Sequence, residues 1–313
     1  VDERSAKRFP VLQFDASALE RSYRRLYQRS LLMAHLDVSH ANLVGLTEAL
    51  KARIISKQGS CMQFVLRPLQ KWMHRRLRHH PTFVLLGQPT VTSSMLRDTL
   101  GSSLQPDQFF RSGDWKNATN MIHQWPSKYL AEILDANCGL SELESSVLKK
   151  NLVYNWISWT DYMPVREGSP LDWYDEEVKR VEPQRNGQLM GAVTSFPFLC
   201  LINAAICRAG LEMGEALRQI SLVNPGTDIF SDVVLKIPQS LKGVHQPLVR
   251  TPLLINGDDN ASRQTRLGAI VQNTYGSFVG LHESVGKDYL SRDFVEINSV
   301  QFSFCPDDPV DPD

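Results

Sequence analysis

Two neighbouring aspartates interrupt an apolar run in Leu253-Leu254-Ile255-Asn256-Gly257-Asp258-Asp259-Asn260-Ala261. The Asn-Gly turn signal and the flanking apolar residues predict a β-hairpin with the acids at its tip. Adjacent carboxylates held close at a tight turn, with neither buried, suit a divalent, oxygen-seeking cation. A solvated turn is the plainer alternative. A second acid, Asp114, lies in Ser112-Gly113-Asp114-Trp115-Lys116-Asn117-Ala118-Thr119-Asn120. The segment predicts a short strand followed by a helix start. Asp114 then either faces the Gly-Asp-Asp turn across neighbouring strands or caps that helix.

Chemistry on phosphates needs cations opposite such acids, and Glu48-Ala49-Leu50-Lys51-Ala52-Arg53-Ile54-Ile55-Ser56-Lys57 supplies them. Lys51, Arg53 and Lys57 occupy odd positions, so on an extended strand all three leave one face. A triphosphate requires a row of this kind, whereas a surface strand needs it only for solubility. A third element is the glycine-rich stretch from Gly187 to Pro197, followed by Leu199, Leu201 and Asn203 on a predicted helix. Gly191 lets backbone approach a ligand closely, and the Ser195 hydroxyl at the helix start serves as a cap or as a contact to a sugar. Core packing with a capped N-terminus is the alternative for this segment.

These residues must be positioned by a chain of 313 residues, long enough for one large domain or two closely packed ones. Hydrophobic residues are 42% and charged residues 22%, ordinary globular usage that excludes wholesale disorder and a multi-span membrane protein. Lys+Arg and Asp+Glu are both 34, so any polyanion-binding surface must come from local segregation of charge. Such segregation exists. From Ala49 to Arg97 there is no acid, while Lys51, Arg53, Lys57, Arg67, Lys71, Arg75, Arg76, Arg78 and Arg97 all fall inside. A helix is predicted from a capping box at Ser17 and Glu20, with Leu19, Tyr23 and Leu26 at helical spacing. A second box, Ser141 with Glu144, starts a helix carrying Leu143, Val147, Leu148 and Leu152. Residues 163–187 and 223–249, rich in Pro and Gly, read as exposed connections, and the Pro-rich acidic tail as a mobile end.

The uncharged stretch from Gln188 to Cys207 is long enough to cross a bilayer. Its Thr194, Ser195, Pro197 and Asn203 make a buried core helix the better reading, so no membrane span is predicted. Five widely spaced cysteines without a CxxC pair or Cys/His cluster indicate a reducing compartment and no zinc site. The N-terminal residues show no signal peptide, and the chain reads as excised from a longer one.

The order of the elements is more specific than any one of them. Basic strand, carboxylate strand, Gly-rich loop into a helix, Gly-Asp-Asp hairpin and following lysine resemble the sequential motifs of viral RNA-dependent RNA polymerases. The wording is most similar to the narnavirus, mitovirus and ourmia-like (botourmiavirus) group of positive-strand RNA viruses. EALKARIISK resembles motif F, SGDWKNATN motif A, GQLMGAVTSFPFLCLIN motif B, INGDD motif C, GLHESVGKDYLS motif D and FVEINSVQF motif E. The resemblance runs from about Gly45 to Phe302.

It implies an α+β right-hand polymerase with an antiparallel palm sheet backed by helices and a fingers-like basic N-terminal lobe. Residues 1–105 would be the fingers-like segment, 106–302 the palm with interleaved fingers segments, and 303–313 an acidic tail with the thumb reduced or truncated. Asp114, Asp258 and Asp259 would ligate two Mg²⁺ ions, or Mn²⁺. Lys51, Arg53 and Lys57 would neutralise the incoming ribonucleoside triphosphate, and Lys287 would be a general acid for pyrophosphate. Asn120 stands where many such polymerases carry an Asp that recognises the ribose, and an amide contact lacks the charge-assisted strength of a carboxylate. Met190-Gly191 replaces the usual Ser-Gly of motif B, with Ser195 and Asn203 as ribose or template contacts. Partners would be RNA template and product, and the site of action the host cytoplasm, or the mitochondrion as in part of that group. Two rival readings are a reverse transcriptase and a non-catalytic RNA-binding protein using the basic stretch alone. Gly before Asp258-Asp259, and Asn120 in place of a bulky steric gate, speak against the former.

Overall fold

The computed structural model describes residues 15–48, 51–87, 90–164, 174–223 and 251–304. The chain opens with α1 (Ala16–Leu36), a hairpin of β1 (His40–Glu48) and β2 (Lys51–Gln58), and α2 (Ser60–Arg78). The expected Ser17–Glu20 capping box does not form. Asp15 caps α1 instead, its carboxylate accepting the Ser17 N–H at 3.0 Å, while Glu20 pairs with Arg24 at 2.7 Å. A carboxylate two residues earlier is the stronger acceptor for the helix's free N–H groups. The helix also faces differently from its pattern: Leu19, Tyr23 and Leu26 are exposed, and burial falls on Leu31 and Ala34 one to two turns later.

Helices α3 (Ser93–Leu100), α4 (Ala118–Met121), α5 (Gln124–Cys138) and α6 (Glu142–Val153) follow, with β3 (Gln108–Gly113) between α3 and α4. The Ser141–Glu144 capping box forms in full at α6. Next come β4 (Trp156–Pro164) and β5 (Tyr174–Pro183), then α7 (Ser195–Val223). Strand β5 corrects the reading of 163–187 as a connection throughout. Its many charged residues (Asp175, Glu176, Glu177, Lys179, Arg180 and Glu182) suit an edge strand that pairs on one side only, here antiparallel to β4. Within that stretch, 165–173 lie outside the described residues, as do 224–250 and 305–313, including Cys305. The chain closes with β6 (Leu253–Asn256), β7 (Asp259–Thr265), α8 (Arg266–Phe278), β8 (Tyr289–Ser291), β9 (Phe294–Ile297) and β10 (Val300–Ser303).

Two four-stranded sheets result. One has the order β2-β1-β4-β5, with β1 and β4 parallel. The other, β6-β7-β3-β8, is antiparallel throughout and carries the acids. It is covered on both faces, which explains the unbroken apolar run of β6. Leu253 and Ile255 pack on Cys200, Cys207 and Leu211 of α7. Leu254 packs on Leu96, Leu100, Phe110 and Val295 on the other side. Each such leucine or isoleucine contributes about 1.5–3 kcal/mol on burial.

Helix α7 joins three core clusters through Phe198, Leu199 with Ile202, and Cys200 with Cys207. That is why it carries no charge before Arg208. It is the one helix among the described residues long and apolar enough to cross a membrane, and 56% of its apolar window is buried inside the fold.

Candidate active site

Strand β3 pairs with β7 antiparallel, in a register that sets Gly113 opposite Asn260. The next step along each strand brings Asp114 to Asp259. In the β6–β7 hairpin Asn256 pairs with Asp259, leaving Gly257 and Asp258 as the two-residue turn. Gly257 takes φ 71°, a conformation that only glycine adopts without strain, which is what the Asn-Gly signal requires. Asp114 caps nothing: Asn117 occupies the N-cap of α4. Asp114 and Asp259 therefore line one cleft with Ser112, Lys287, Glu296 and Asn298, and Asp258, in the adjoining turn, lies within electrostatic reach of Asp114 and Lys287. Lys287 reaches into it, its Nζ 3.0 Å from Asp114 Oδ2.

The acids at the turn are less solvated than their sequence suggested. Phe196 lies against Gly257, and the Cys200 Sγ accepts the Gly257 N–H at 3.3 Å, so the hairpin tip rests on α7. Burial pushes the Asp259 carboxyl up to about 6, with repulsion from Asp258 and Asp114 adding to it and Lys287 opposing. Burial likewise raises Asp258; Asp114 raises it further, and Lys287 and Arg53 draw it down. A crowded, half-buried set of carboxylate oxygens is a hard-donor site that binds a proton too readily, and a divalent cation relieves the same repulsion. Among the described residues no three His, Cys, Asp or Glu side chains form a ready cage. The donor set thus fits an ion such as Mg²⁺, which takes one or two carboxylates and completes its shell with water and substrate phosphate.

On β2, Arg53 and Lys57 are exposed; of the alternate positions, Ser56 and Gln58 are buried at the C-terminal end of the strand, while Ala52 and Ile54 are exposed. The backbone of Lys51 belongs to β2, but its side chain lies outside the described residues. The strand is bolted to the glycine-rich loop: the Ser56 N–H and Oγ both donate to the Met190 carbonyl, at 2.7 and 2.8 Å. Gly191 has φ 117°, and a Cβ there would run into the Ser56 carbonyl oxygen. Its close approach is to β2 itself.

Ser195 and Asn203 differ from the sugar or template contacts expected of them. The Ser195 Oγ donates to Gln188 Oε1 at 3.0 Å, and the residue is buried. Asn203 is 0% exposed and spends its amide on Trp115 and on the carbonyls of Gly257 and Asp258. Both side chains lie on the packed face of α7, whose other side at this level carries the exposed Phe196 and Ala205. Asn120 is exposed on α4, and the loop beneath it is held where the Gln188 N–H meets the Thr119 carbonyl at 2.6 Å.

No protein-family profile and no curated protein sequence matches the chain. Among solved structures it is similar to the RNA-dependent RNA polymerase of a human picobirnavirus, an insertion-loop deletion mutant, with a TM-score of 0.53 and 12% identity. The match covers 85% of this chain and 45% of that one, so the chain spans under half the length of its structural neighbour. The fold is that of a viral RNA-dependent RNA polymerase.

Within this polymerase fold, several residues that organise the site carry no sequence signal. Asn298 and Ser299, both at positive φ, turn β9 into β10 at the cleft, and the Asn256 Nδ2 donates to Asn298 Oδ1 at 2.9 Å. The Glu296 N–H donates to the Ser112 Oγ at 2.7 Å, tying that hairpin to β3. A buried amide network joins the end of β2 to the glycine-rich loop. Gln58 donates to Asn155 Oδ1 at 2.8 Å, Asn151 donates to Gln58 Oε1 at 2.6 Å, and the Thr194 Oγ1 donates to Asn151 Oδ1 at 2.6 Å. Asparagine and glutamine read as surface residues in a sequence, and only their spacing in the folded chain reveals such a network.

Proposed function

We propose that the chain is the catalytic core of a template-directed RNA polymerase of a positive-strand RNA virus, of the narnavirus, mitovirus and ourmia-like kind. It would join ribonucleoside triphosphates to an RNA 3′ end for genome replication, in the host cytoplasm or the mitochondrion. The supporting observation is the β3–β7 register, which brings Asp114 and Asp259 into one cleft with Lys287 and leaves Asp258 beside it in the turn, within electrostatic reach of Asp114 and Lys287.

In the proposed reaction the 3′-oxygen attacks the α-phosphorus, the bond to the bridging oxygen of the β-phosphate breaks, and pyrophosphate leaves. The hydroxyl proton passes to solvent. The Lys287 ammonium gives a proton to pyrophosphate and regains one from water. Asp114 and Asp258 would hold Mg²⁺ or Mn²⁺ with Asp259 adjoining, and such ions, when bound, supply charge neutralisation for nucleophile and leaving group. Lys51, Arg53 and Lys57 bind the triphosphate, with Arg53 already within electrostatic reach of Asp258. Asn120, exposed on its short helix, contacts the ribose. Residues 1–105 then act as a fingers-like segment and 106–302 as a palm with interleaved fingers. RNA is held by its phosphates through β2 and the exposed Arg67, Lys71, Arg75 and Arg76 of α2, so binding weakens steeply with salt.

The test is RNA synthesis on a defined primer–template with Mg²⁺ or Mn²⁺, comparing ribo- with deoxyribonucleotides. Incorporation of ribonucleotides that vanishes in Asp258→Ala is expected. Full activity in that variant removes the mechanism, and a preference for deoxyribonucleotides makes the chain a reverse transcriptase.

A further inference from the structure

We propose that the ion pair between the buried Arg111 and the partly buried Asp288 is the positioning device for Lys287, clamping the segment from His282 to Leu290 on β3 so that the Lys287 ammonium faces Asp114. The importance of Lys287 rests on the polymerase reading above; the clamp itself is a matter of geometry.

Arg111 lies on β3 three positions before Asp114, and Asp288 directly follows Lys287. The Arg111 side chain is 1% exposed. Its Nη2 donates to Asp288 Oδ2 at 2.5 Å and to Asn273 Oδ1, and its Nη1 donates to the Ala269 carbonyl at 3.1 Å. Glu283 stands 4.0 Å away. Backbone bonds complete the clasp. The Lys116 N–H donates to the His282 carbonyl at 2.8 Å and the Ser284 N–H to the Asp114 carbonyl at 3.0 Å, while Tyr289 pairs with Ser112. Lys287 is thus fixed on both sides along the chain, at Ser284 and at Asp288–Tyr289.

Its own side chain is 68% exposed. A strongly hydrated ammonium on a four-carbon stem otherwise spreads over many rotamers, so the direction in which its backbone points decides what it faces. Stability alone is a poor reason for the pair. Ion pairs with a buried member are often replaced by apolar residues at little cost, and the buried Arg111 Nε has no hydrogen-bond partner, a desolvation cost that an apolar core would avoid.

The double substitution Arg111→Met with Asp288→Leu removes both charges together and leaves no lone buried ion. Arg111→Lys keeps the cation but loses the fork that reaches Asp288, Asn273 and Ala269 at once, and serves if the double variant does not fold. The first readout needs neither RNA nor metal: the rate of acetylation of Lys287 by acetic anhydride at one pH in the full chain, followed by peptide mass spectrometry. Either folded variant should label Lys287 roughly threefold faster or more, as the bond to Asp114 loosens, with the exposed Lys71 of α2, outside the clasp, unchanged as an internal control. Unchanged labelling of Lys287 overturns the clamp. The second readout is single-nucleotide addition, where kcat should fall roughly tenfold at constant KM. A parent that makes RNA while its folded variants keep full kcat also overturns the clamp. A parent whose labelling responds to the variants but which makes no RNA defeats the polymerase reading and leaves the clamp standing.

Discussion

The Trp115 indole N–H donates to the Asn203 Oδ1 at 2.7 Å across 88 positions of chain. Through the same amide, Asn203 Nδ2 donates to the carbonyls of Gly257 and Asp258 at 3.0 and 3.2 Å. One side chain on α7 therefore sets the height of the Asp258 turn relative to the residue that follows Asp114. Asn203→Ala strands a buried indole N–H and two carbonyls, and should cost about 3 kcal/mol. The urea midpoint of the purified chain measures it. Nucleotide incorporation should fall as well at temperatures where the variant is fully folded.

Gly191→Ala tests the joint between β2 and the glycine-rich loop. The new methyl meets the Ser56 carbonyl oxygen at a backbone angle that L-residues avoid. Strain and overpacking together predict a loss of about 3 kcal/mol or more. Ser56→Ala, which removes only the hydroxyl bond to Met190 and keeps the backbone one, should cost about 1 kcal/mol. Equal losses in the two thermal melts would contradict this ranking.

Asp259 predicts a pH dependence of unusual sign for a carboxylate. Burial and its acidic neighbours hold it at about 6, above the ordinary 3.8. Between those values the folded chain binds the proton more tightly than the unfolded one, so this group's contribution to stability falls as pH rises and is fully unfavourable above pH 6. In EDTA, Asp259→Asn should therefore melt higher than the parent at pH 7.5 and lose that advantage near pH 4. Added Mg²⁺ should raise the parent's melting temperature by binding the folded state, and the variant's less.

Cys200 and Cys207 should resist thiol reagents. Burial pushes both thiols up to about 12, which removes the nucleophilic thiolate at neutral pH. Cys138 is exposed. Maleimide labelling read by mass spectrometry should find Cys138 modified in minutes, and Cys200 and Cys207 only after denaturant is added.

What was legible beforehand was local. Gly257 between Asn256 and Asp258 marked a turn, and alternation marked a cationic face on the strand holding Arg53 and Lys57, because turn chemistry and strand period act over a few residues. The residues alone left Asp114 either facing the Gly-Asp-Asp turn or capping a helix, and only the resemblance chose between the two, since strand register is set by distant packing. Arg111 was one cation among 34 Lys+Arg, and nothing in its neighbours announced a partner at Asp288. Ser195 and Asn203 were read by residue type, but the burial that turns them inward comes from three core clusters meeting on α7. Ser17 lost the cap to Asp15 because the two motifs overlap by two positions, and local spacing alone does not rank them.

The parallel pairing of β1 with β4 has a consequence for synthesis. While the ribosome is still short of residue 156, the cationic hairpin has one flank of peptide groups without its neighbour, open to any passing strand. Cationic residues made early thus wait on segments made much later, and a nascent chain arrested in between would be sticky before its fold was complete.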